Sequence, residues 1–364
     1  MTVEGLAARL SAVMRGRVEE NRPLATLTTY RLGGPARIFV EPADEADLQA
    51  MWRALGEAGG VDVLAFGRGS NLVVSDGGWP GVAVRIGSAF SWIKPWSSGD
   101  GGGSAGRRPR AADPRESGMA AGAGTPLPTA ANWTARRGLA GLEWLVSVPG
   151  SVGGAVRMNA GAHGGAVAQT LRRVRLFDLG RGKTVTREAS ALELSYRSSN
   201  LSDREVVLEA FFKLDPADTR AIKERMESFR RHRSATQPGA LQNAGSTFKN
   251  PPGDTAGRLV EAAGLKGMRV GRASVSQLHA NFFMAGEGAT AQDVYDLVCE
   301  VQAKVHERFG IELEPEVRFA GSFDRAAVRR SDPDLPAVLG SGRGRPAVPP
   351  SGRGRPEAHG GVAG

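Results

Sequence analysis

The chain has 364 residues, and its 47 lysines and arginines against 38 acidic residues give a formal net charge of +9. This length suggests roughly two to three domains with full hydrophobic cores, and the single cysteine, Cys299, excludes both a disulfide within the chain and a metal site built from cysteines. No apolar run approaches the roughly 18 residues of a membrane-spanning helix and the N-terminus lacks the apolar segment of a secretory signal, so we expect a cytoplasmic protein without metal or membrane partner.

The first part of the chain predicts a mixture of helices and short strands. Apolar residues recur at helical spacing over 44–58. Short β-rich runs separated by Gly, Asp and Pro predict strands at 61–66, 72–74 and 82–86. Further elements follow in this order: a strand at 119–123, a helix over 126–137, and strands at 173–178, 184–187 and 206–214.

The last third of the chain is richer in helices. Charged helices are predicted over 218–231 and 255–263, and a longer helix begins at the N-cap residue Thr290 and ends before Gly310. Two short strands are predicted after it, at 310–313 and 315–319. The whole pattern predicts an α+β protein with a domain boundary near Leu214.

Two segments are low in complexity and carry much of the excess charge. Residues 88–118 have a net charge of +2 and residues 322–364 one of +3, and the second segment repeats the motif SGRGRP. Neither has enough apolar residues to offset the entropy cost of ordering it. We therefore interpret 88–118 as an insert and 322–364 as a disordered basic tail. Nucleic acid is not an expected partner, and RNA contact through the tail is kept as an alternative.

Two glycine-rich segments predict a dinucleotide held by loops. Residues 67–72 (GRGSNL) lie between two predicted strands, where the glycines allow a sharp turn and the serine and asparagine add side-chain donors. Residues 148–155 (VPGSVGGA) suit neither a helix interior nor a central strand. An ordinary glycine-rich corner is the alternative for each segment. A Rossmann site is not indicated, because the one G-x-G-x-x-G match, at 101–106, follows no strand.

A third polar segment lies in the second half. Residues 243–251 (NAGSTFKNP) place the hydroxyl of Ser246 on a glycine-flanked turn beside Lys249 and Asn250. No histidine lies near Ser246 in sequence, so a hydrolase nucleophile is not indicated. Taken singly, Glu316 is more typical of the rim of a site than of a catalytic group, and the pair Tyr196–Arg197 is more typical of a protein surface.

In combination and order, these motifs resemble the shorter subtype of the UDP-N-acetylenolpyruvoylglucosamine reductase family. The resemblance covers about residues 20–321, without 88–118. The segments that carry it are TTYRLGGPA (28–36), GRGSNL (67–72), VPGSVGGA (148–155), MNAG (158–161), YRS (196–198), NAGSTFKNP (243–251), HAN (279–281) and EPEV (314–317).

The resemblance implies the domain organisation and the reaction. A vanillyl-alcohol-oxidase-type FAD-binding domain of two α+β subdomains would occupy 1–214, and an α+β substrate-binding domain would occupy 215–321. NADPH would reduce FAD, and the reduced flavin would pass hydride to UDP-N-acetylglucosamine enolpyruvate, a nucleotide sugar, to form UDP-N-acetylmuramate for peptidoglycan. The protein is expected to be a monomer. An FAD-dependent oxidase or dehydrogenase of the same fold, acting on another small substrate, is the alternative.

Matching positions imply the site residues. Ser246 would be the proton donor, with Arg197 and Glu316 as the other catalytic residues. Because Ser234 stands where some members have a lysine, an arginine nearby is expected to contact the substrate diphosphate. The implied substrate contacts are Tyr196, Arg231, Arg233, Lys249, Asn250, Gln277 and His279. The implied FAD contacts are Gly67, Arg68, Gly69, Ser70, Asn71, Leu72, Gly122, Gly124, Pro149, Gly150, Ser151, Gly153, Gly154, Asn159 and Gly161.

Overall fold

The structure, a computed structural model, describes residues 3–96, 117–239 and 242–324. Most of the predicted insert and tail lie outside these residues. The helices are α1 (Val3–Val13), α2 (Glu45–Ala58), α3 (Leu127–Ala135), α4 (Val152–Arg157), α5 (Val167–Thr170), α6 (Thr219–Thr236), α7 (Ala256–Ala262) and α8 (Ala291–Phe309). Among the described residues, no helix has both the length and the apolar character needed to cross a membrane.

The strands are short except in the middle of the chain. They are β1 (Arg17–Pro23), β2 (Pro35–Glu41), β3 (Val63–Phe66), β4 (Leu72–Val74), β5 (Trp79–Arg85), β6 (Ile93–Trp96), β7 (Gly118–Gly122), β8 (Leu139–Ala140), β9 (Gly161–Ala162), β10 (Gly165–Ala166), β11 (Leu171–Asp178), β12 (Lys183–Glu188), β13 (Glu205–Lys213), β14 (Asp215–Pro216), β15 (Arg269–Val270), β16 (Ala273–Val275), β17 (Phe283–Ala285) and β18 (Arg318–Ala320).

The first subdomain is a four-stranded sheet with the order β1-β2-β5-β3. Strands β2, β5 and β3 are parallel, and β1 is antiparallel to β2. Helices α1 and α2 pack together beside the sheet. Helix α2 begins after Asp44, whose carboxylate accepts the Asp47 N–H at 3.1 Å, and it buries Leu48 and Met51. Aspartate is a favourable N-cap because it satisfies an amide that has no partner within the helix.

The second subdomain is a five-stranded antiparallel sheet with the order β12-β11-β13-β7-β6. The predicted insert at 88–118 begins too early, because residues 93–96 form the edge strand β6 of this sheet. Ile93 pairs with Ala121 and Trp96 pairs with Gly118. The ring of Trp96 packs edge-on against Phe211 at 5.6 Å between centroids. Apolar contact therefore orders residues 93–96. The low-complexity composition of the surrounding segment did not reveal this strand.

The C-terminal part combines α7 and α8 with the three-stranded sheet β15-β16-β17. The predicted strand at 310–313 is wrong, because these residues leave α8 without pairing to another described strand. The strand predicted at 315–319 begins later, as β18, and pairs in parallel with β4 of the first subdomain. The predicted tail also begins too early, since Phe323 stacks on Tyr295 at 4.9 Å between ring centroids.

Two large hydrophobic cores divide the molecule differently from the predicted boundary near Leu214. Ile222 and Met226 of α6 belong to the first core, which also holds both sheets of the first part. Apart from Tyr30 and Val73, the buried residues of the second core all lie at or beyond Ala244, after the end of α6. Tyr30 is 1% exposed and its hydroxyl donates to the Phe283 carbonyl at 2.9 Å, so burial raises its pKa. The division between the cores therefore lies after α6.

Candidate active site

The two glycine-rich segments lie against each other. Ser70 Oγ donates to the Pro149 carbonyl at 3.3 Å, and Gly150 has a φ of 141°, in the range that favours glycine. A Cβ at Gly67 would collide with Ser151 Oγ. Segments 79 residues apart thus share one surface, as their composition predicts.

A cleft of about 660 Å³ opens beside this surface, between the two subdomains. It is lined by Gly67, Gly124 and three arginines, Arg68, Arg17 and Arg85, and also by Glu41, which lies 3.7 Å from Arg85. Exposed main chain and guanidinium groups are the donors that a pyrophosphate binds. The residues present therefore fit a dinucleotide such as FAD.

Several of the predicted FAD-contact glycines are required by the packing of the protein itself. A Cβ at Gly122 or Gly124 would collide with the carbonyl of Phe90 or Gly87, respectively. A Cβ at Gly153 would lie 2.8 Å from that of Ala123. Only at Gly154 would an added Cβ meet nothing closer than Ser151 Oγ, at 3.8 Å. Close packing against neighbouring backbone and side chains therefore accounts for most of these glycines.

Arg197 and Glu316, predicted as catalytic residues, form an ion pair. Arg197 Nε lies 2.8 Å from Glu316 Oε1, and the two side chains are 21% and 16% exposed. The Glu316 N–H donates to the Thr247 carbonyl at 2.7 Å, so Glu316 lies beside the segment that carries Ser246. Residues from three distant parts of the chain thus converge on one place.

The burial of Glu316 raises the pKa of its carboxyl above the ordinary value. The positive charges of Arg197 and Lys249 act in the opposite direction without cancelling the effect. Because desolvation disfavours the ionised form, Glu316 holds a proton to a higher pH than an exposed glutamate does. A protonated carboxyl group of this kind can donate a proton or a hydrogen bond at pH values where an exposed glutamate is already ionised.

A tight turn places Arg197. The backbones of Ser195 and Ser198 exchange two hydrogen bonds of 3.1 Å, and Arg197 between them has a φ of 53°. Tyr196 reaches toward the C-terminal part, where its hydroxyl accepts the Asn250 N–H at 3.3 Å. A Cβ at Gly161, predicted to contact FAD, would collide with the Gly165 carbonyl at 2.7 Å and would lie 3.3 Å from Arg197 Nη1.

Backbone pairing on both sides places Ser246. Its own backbone bridges to Phe282, and Phe248, two residues on, bridges to Pro315. Asn281, which is buried, accepts the Phe248 N–H at 2.9 Å and donates to the Phe248 carbonyl at 2.8 Å. Asn281 was not among the predicted site residues, although it belongs to the HAN segment on which the resemblance depends.

Asn71 connects the glycine-rich turn to Glu316. Its side-chain amide donates to the Glu316 carbonyl at 2.9 Å, and its own carbonyl accepts the Arg318 N–H at 3.1 Å. These bonds extend the parallel pairing of β4 with β18. The predicted cofactor loop and the predicted acid are therefore held together directly.

Some predicted contact residues use their side chains within the protein. Asn159 donates to the Ser195 carbonyl at 2.7 Å, and Asn250 Oδ1 accepts the Ala256 N–H at 3.0 Å, at the start of α7. His279 Nδ1 accepts the Asn281 N–H at 3.2 Å. Lys249 forms a 2.5 Å ion pair with Glu314, two residues before Glu316. These residues shape or border the site through contacts that spacing in the sequence does not reveal.

Three other predicted substrate contacts are not brought to the Arg197–Glu316 pair by any described contact. Gln277 packs against Gly267, where an added Cβ would collide with its amide. Arg233 donates to the Ser147 carbonyl at 2.5 Å, next to the glycine-rich segment, and burial lowers its pKa. Arg231 is 69% exposed and lies 3.9 Å from Glu227 on the same helix. Of the two arginines expected near a diphosphate, Arg233 lies nearer the cradle.

Comparison with known proteins agrees with this geometry. A family model described as an FAD-binding domain matches residues 107–187. A second model, the C-terminal domain of UDP-N-acetylenolpyruvoylglucosamine reductase, matches residues 237–320. Its start agrees with the division between the hydrophobic cores after α6. The fold and the site therefore define a flavin-dependent oxidoreductase.

Individual relatives identify the family. The chain is 41% identical over 319 residues to UDP-N-acetylenolpyruvoylglucosamine reductase 2 of Symbiobacterium thermophilum, covering 87% of this chain and 97% of the relative. It is 42% identical over 303 residues to the reductase of Rubrobacter xylanophilus, covering 83% and 94%. The crystal structure of the Thermus caldophilus reductase superposes with a TM-score of 0.67 at 33% identity, covering 85% of this chain and 100% of that one.

The chain belongs to the UDP-N-acetylenolpyruvoylglucosamine reductase family. This confirms the predicted resemblance and the α+β fold with an FAD-binding domain followed by a C-terminal domain. It also confirms FAD as the cofactor.

Proposed function

We propose that this chain reduces UDP-N-acetylglucosamine enolpyruvate to UDP-N-acetylmuramate, a precursor of peptidoglycan, with NADPH as the reductant. The observation that carries the proposal is the Arg197–Glu316 ion pair of 2.8 Å, held beside the Ser246 segment and next to the glycine-rich cradle. An acid, a guanidinium and a hydroxyl at one place suit the addition of hydrogen to a double bond conjugated with a carboxylate.

The glycine-rich segments and Arg68 would hold FAD. When bound, FAD supplies the redox chemistry, taking hydride from NADPH and delivering it to the enolpyruvyl group. Backbone amides of 67–72 and 149–154 would hold the cofactor, and the hydrogen bond from Ser70 to the Pro149 carbonyl keeps the two segments together. The cleft between the subdomains provides the room for the nucleotide end.

The catalytic side chains respond to charge that develops on the substrate. Hydride addition places negative charge on the adjacent carbon and on the substrate carboxylate. Arg197 binds that carboxylate through two N–H groups, and protonated Glu316 donates to the enolate oxygen. Ser246 then gives its hydroxyl proton to the carbon, which is basic enough to accept it.

Side chains bordering the catalytic pair would bind the rest of the substrate. Lys249 and Tyr196 lie beside Arg197 and Glu316, and Arg233, which donates to the Ser147 carbonyl next to the glycine-rich segment, would face a diphosphate. We further propose that the protein acts as a monomer in the cytoplasm. Nucleic acid has no part in this proposal.

Anaerobic half-reactions test the proposed function. Enzyme loaded with FAD is reduced by NADPH, mixed with UDP-N-acetylglucosamine enolpyruvate, and followed by flavin absorbance. We expect the substrate to reoxidise the wild-type flavin rapidly, and we expect Ser246→Ala to slow this step by about 10²–10⁴-fold while leaving NADPH-dependent reduction unchanged. Ser228→Ala, on the exposed face of α6, is the matched control.

Two outcomes would contradict the proposal. Failure of the wild-type enzyme to be reoxidised by this substrate would favour an FAD-dependent enzyme that acts on another small molecule. Normal reoxidation of Ser246→Ala would remove the serine from the chemistry while leaving the substrate assignment in place.

A further inference from the structure

The turn that carries Arg197 is under backbone strain. Arg197 has a φ of 53°, in the left-handed region that residues with a side chain rarely adopt. Such a conformation persists only where surrounding contacts hold it, and it often marks a functional position. The two hydrogen bonds between Ser195 and Ser198 close the turn, and a further group acts on it from outside.

That group is the side chain of Asn159. It is 7% exposed, and its Nδ2 donates to the Ser195 carbonyl at 2.7 Å. The Ser195 carbonyl also accepts the Ser198 N–H at 3.1 Å, so it receives both the bond that closes the turn and the bond from Asn159. The other end of the amide, Oδ1, accepts the Ala168 N–H at 2.9 Å, which fixes the orientation of the group.

We propose that Asn159 is a positioning residue for Arg197. Its amide holds the Ser195 carbonyl, and through it the turn, so that the guanidinium meets Glu316 and the substrate carboxylate. This assignment differs from the FAD contact that the sequence implies for Asn159. It rests on the proposed function and deepens it, because it says what keeps the carboxylate-binding arginine in place.

Asn159→Asp tests the hydrogen bond to Ser195. Aspartate tolerates the φ of 40° at this position and keeps an oxygen for the Ala168 N–H. It replaces the amide donor by an oxygen that faces the Ser195 carbonyl. We expect substrate-dependent reoxidation of the flavin to slow by about 10–100-fold, the scale of a small misplacement of a catalytic group. FAD stoichiometry, FAD affinity and NADPH-dependent reduction should remain unchanged.

A double-mutant cycle separates positioning from a general structural role. In an Arg197→Ala background, where no guanidinium remains to be placed, Asn159→Asp should slow reoxidation further by no more than about twofold. Asn132→Asp is the matched control, because its amide also donates to a backbone carbonyl, that of Pro128 at 2.8 Å, and it should change the rate by less than about twofold.

Distinct results would overturn the inference. Equal losses from Asn159→Asp with and without Arg197 would show that Asn159 acts independently of the arginine. Weaker FAD binding would return Asn159 to the cofactor site. If Asn159→Asp fails to fold, Asn159→Gly keeps the left-handed backbone, removes the amide and carries the same expectations. A wild-type enzyme that is inactive with the enolpyruvyl substrate would instead contradict the proposed function.

Discussion

Glu316 is a largely buried acid whose carboxyl pKa lies above the ordinary value. Burial raises its pKa although Arg197 lies 2.8 Å away, so desolvation outweighs attraction to the guanidinium. A group with a raised pKa in the folded protein is protonated below that pKa and loses its proton as pH rises through it. Below that pKa, Glu316 therefore carries the proton that the proposed chemistry needs.

Glu316→Gln should remove a pH dependence from the reduction of substrate. In the wild-type enzyme we expect the reoxidation rate to fall as pH rises and Glu316 ionises. Glutamine still donates a hydrogen bond but does not titrate, so the rate of the variant should not fall as pH rises. Its maximum rate should be about 10²-fold below that of the wild-type enzyme. Rates measured by stopped flow from pH 5 to pH 9 check this, with exposed Glu312→Gln as the control. The same falling limb in Glu316→Gln would assign the titration to another group.

Arg197→Lys should be severely impaired although the charge is conserved. A lysine ammonium is a point charge and cannot bind a carboxylate through two parallel N–H groups. We expect the rate of substrate-dependent reoxidation to fall by about 10²–10³-fold, the cost of losing one charge-stabilising donor. Arg220→Lys, at an ion pair on the exposed surface of α6, should have no effect. Near-normal turnover of Arg197→Lys would exclude a two-pronged contact.

At the scale of elements, three asparagines hold the segments that carry the three proposed catalytic residues. Asn159 bonds to the turn of Arg197, Asn281 to the backbone of Phe248, two residues after Ser246, and Asn71 to the carbonyl of Glu316. Each bond joins distant parts of the chain. The bond from Asn71 joins residues that are 245 positions apart in the sequence. Periodicity and spacing do not reveal such partners, which is why motif analysis singled out Asn71 and Asn159 as cofactor contacts without their backbone partners and did not single out Asn281.

Asn281→Ala should destabilise the C-terminal domain. The substitution leaves the buried N–H and carbonyl of Phe248 without the partner that both now share. Each buried polar group left unsatisfied costs about 1–3 kcal/mol, so we expect the free energy of unfolding to fall by about 2–4 kcal/mol. Urea denaturation followed by fluorescence measures this loss, and Asn200→Ala at an exposed amide should cost less than about 0.5 kcal/mol. Equal stability of the two variants would show that water replaces Asn281.

Local signals decided which elements were predictable. Helix α8 begins after Thr290 and ends before Gly310 as expected, because its N-cap and its left-handed terminal glycine are visible in sequence. Strand β1, with the sequence RVEENRP, was missed because it lacks alternation and is held by its pairing with β2. The segment 310–313 has strand-like composition, but in the structure its Leu313 carbonyl accepts a bond from Gln302 at 2.7 Å.

At the scale of the whole molecule, the C-terminal domain is fastened to the first subdomain near the site. Strand β18 adds to β4, Tyr30 lies in the second core, and Asp76 accepts the Ala291 and Gln292 N–H groups at 2.9 and 3.0 Å. These contacts place Glu316 against the cofactor loop. The predicted boundary near Leu214 missed this arrangement because the charged sequence of α6 does not show which core its buried face joins.

The end of the packed chain gives a prediction for truncation. Phe323 stacks on Tyr295, and Asp324 exchanges hydrogen bonds of 3.0 and 2.9 Å with Gln292 at the start of α8. A chain ending at Asp324 should keep the FAD content, turnover and unfolding free energy of the full chain. A chain ending at Gly321 loses the aromatic contact and should unfold with about 1–3 kcal/mol less free energy.

Urea denaturation of the three FAD-loaded chains decides where the fold ends. The chain ending at Asp324 is the matched control, because it also lacks the basic tail but keeps Phe323. If both truncated chains lost stability equally, residues beyond 324 would contribute to the fold. If neither lost any, the packing of Phe323 on Tyr295 would add nothing measurable to α8, and the boundary of the tail at 322 that the low complexity predicts would be energetically correct.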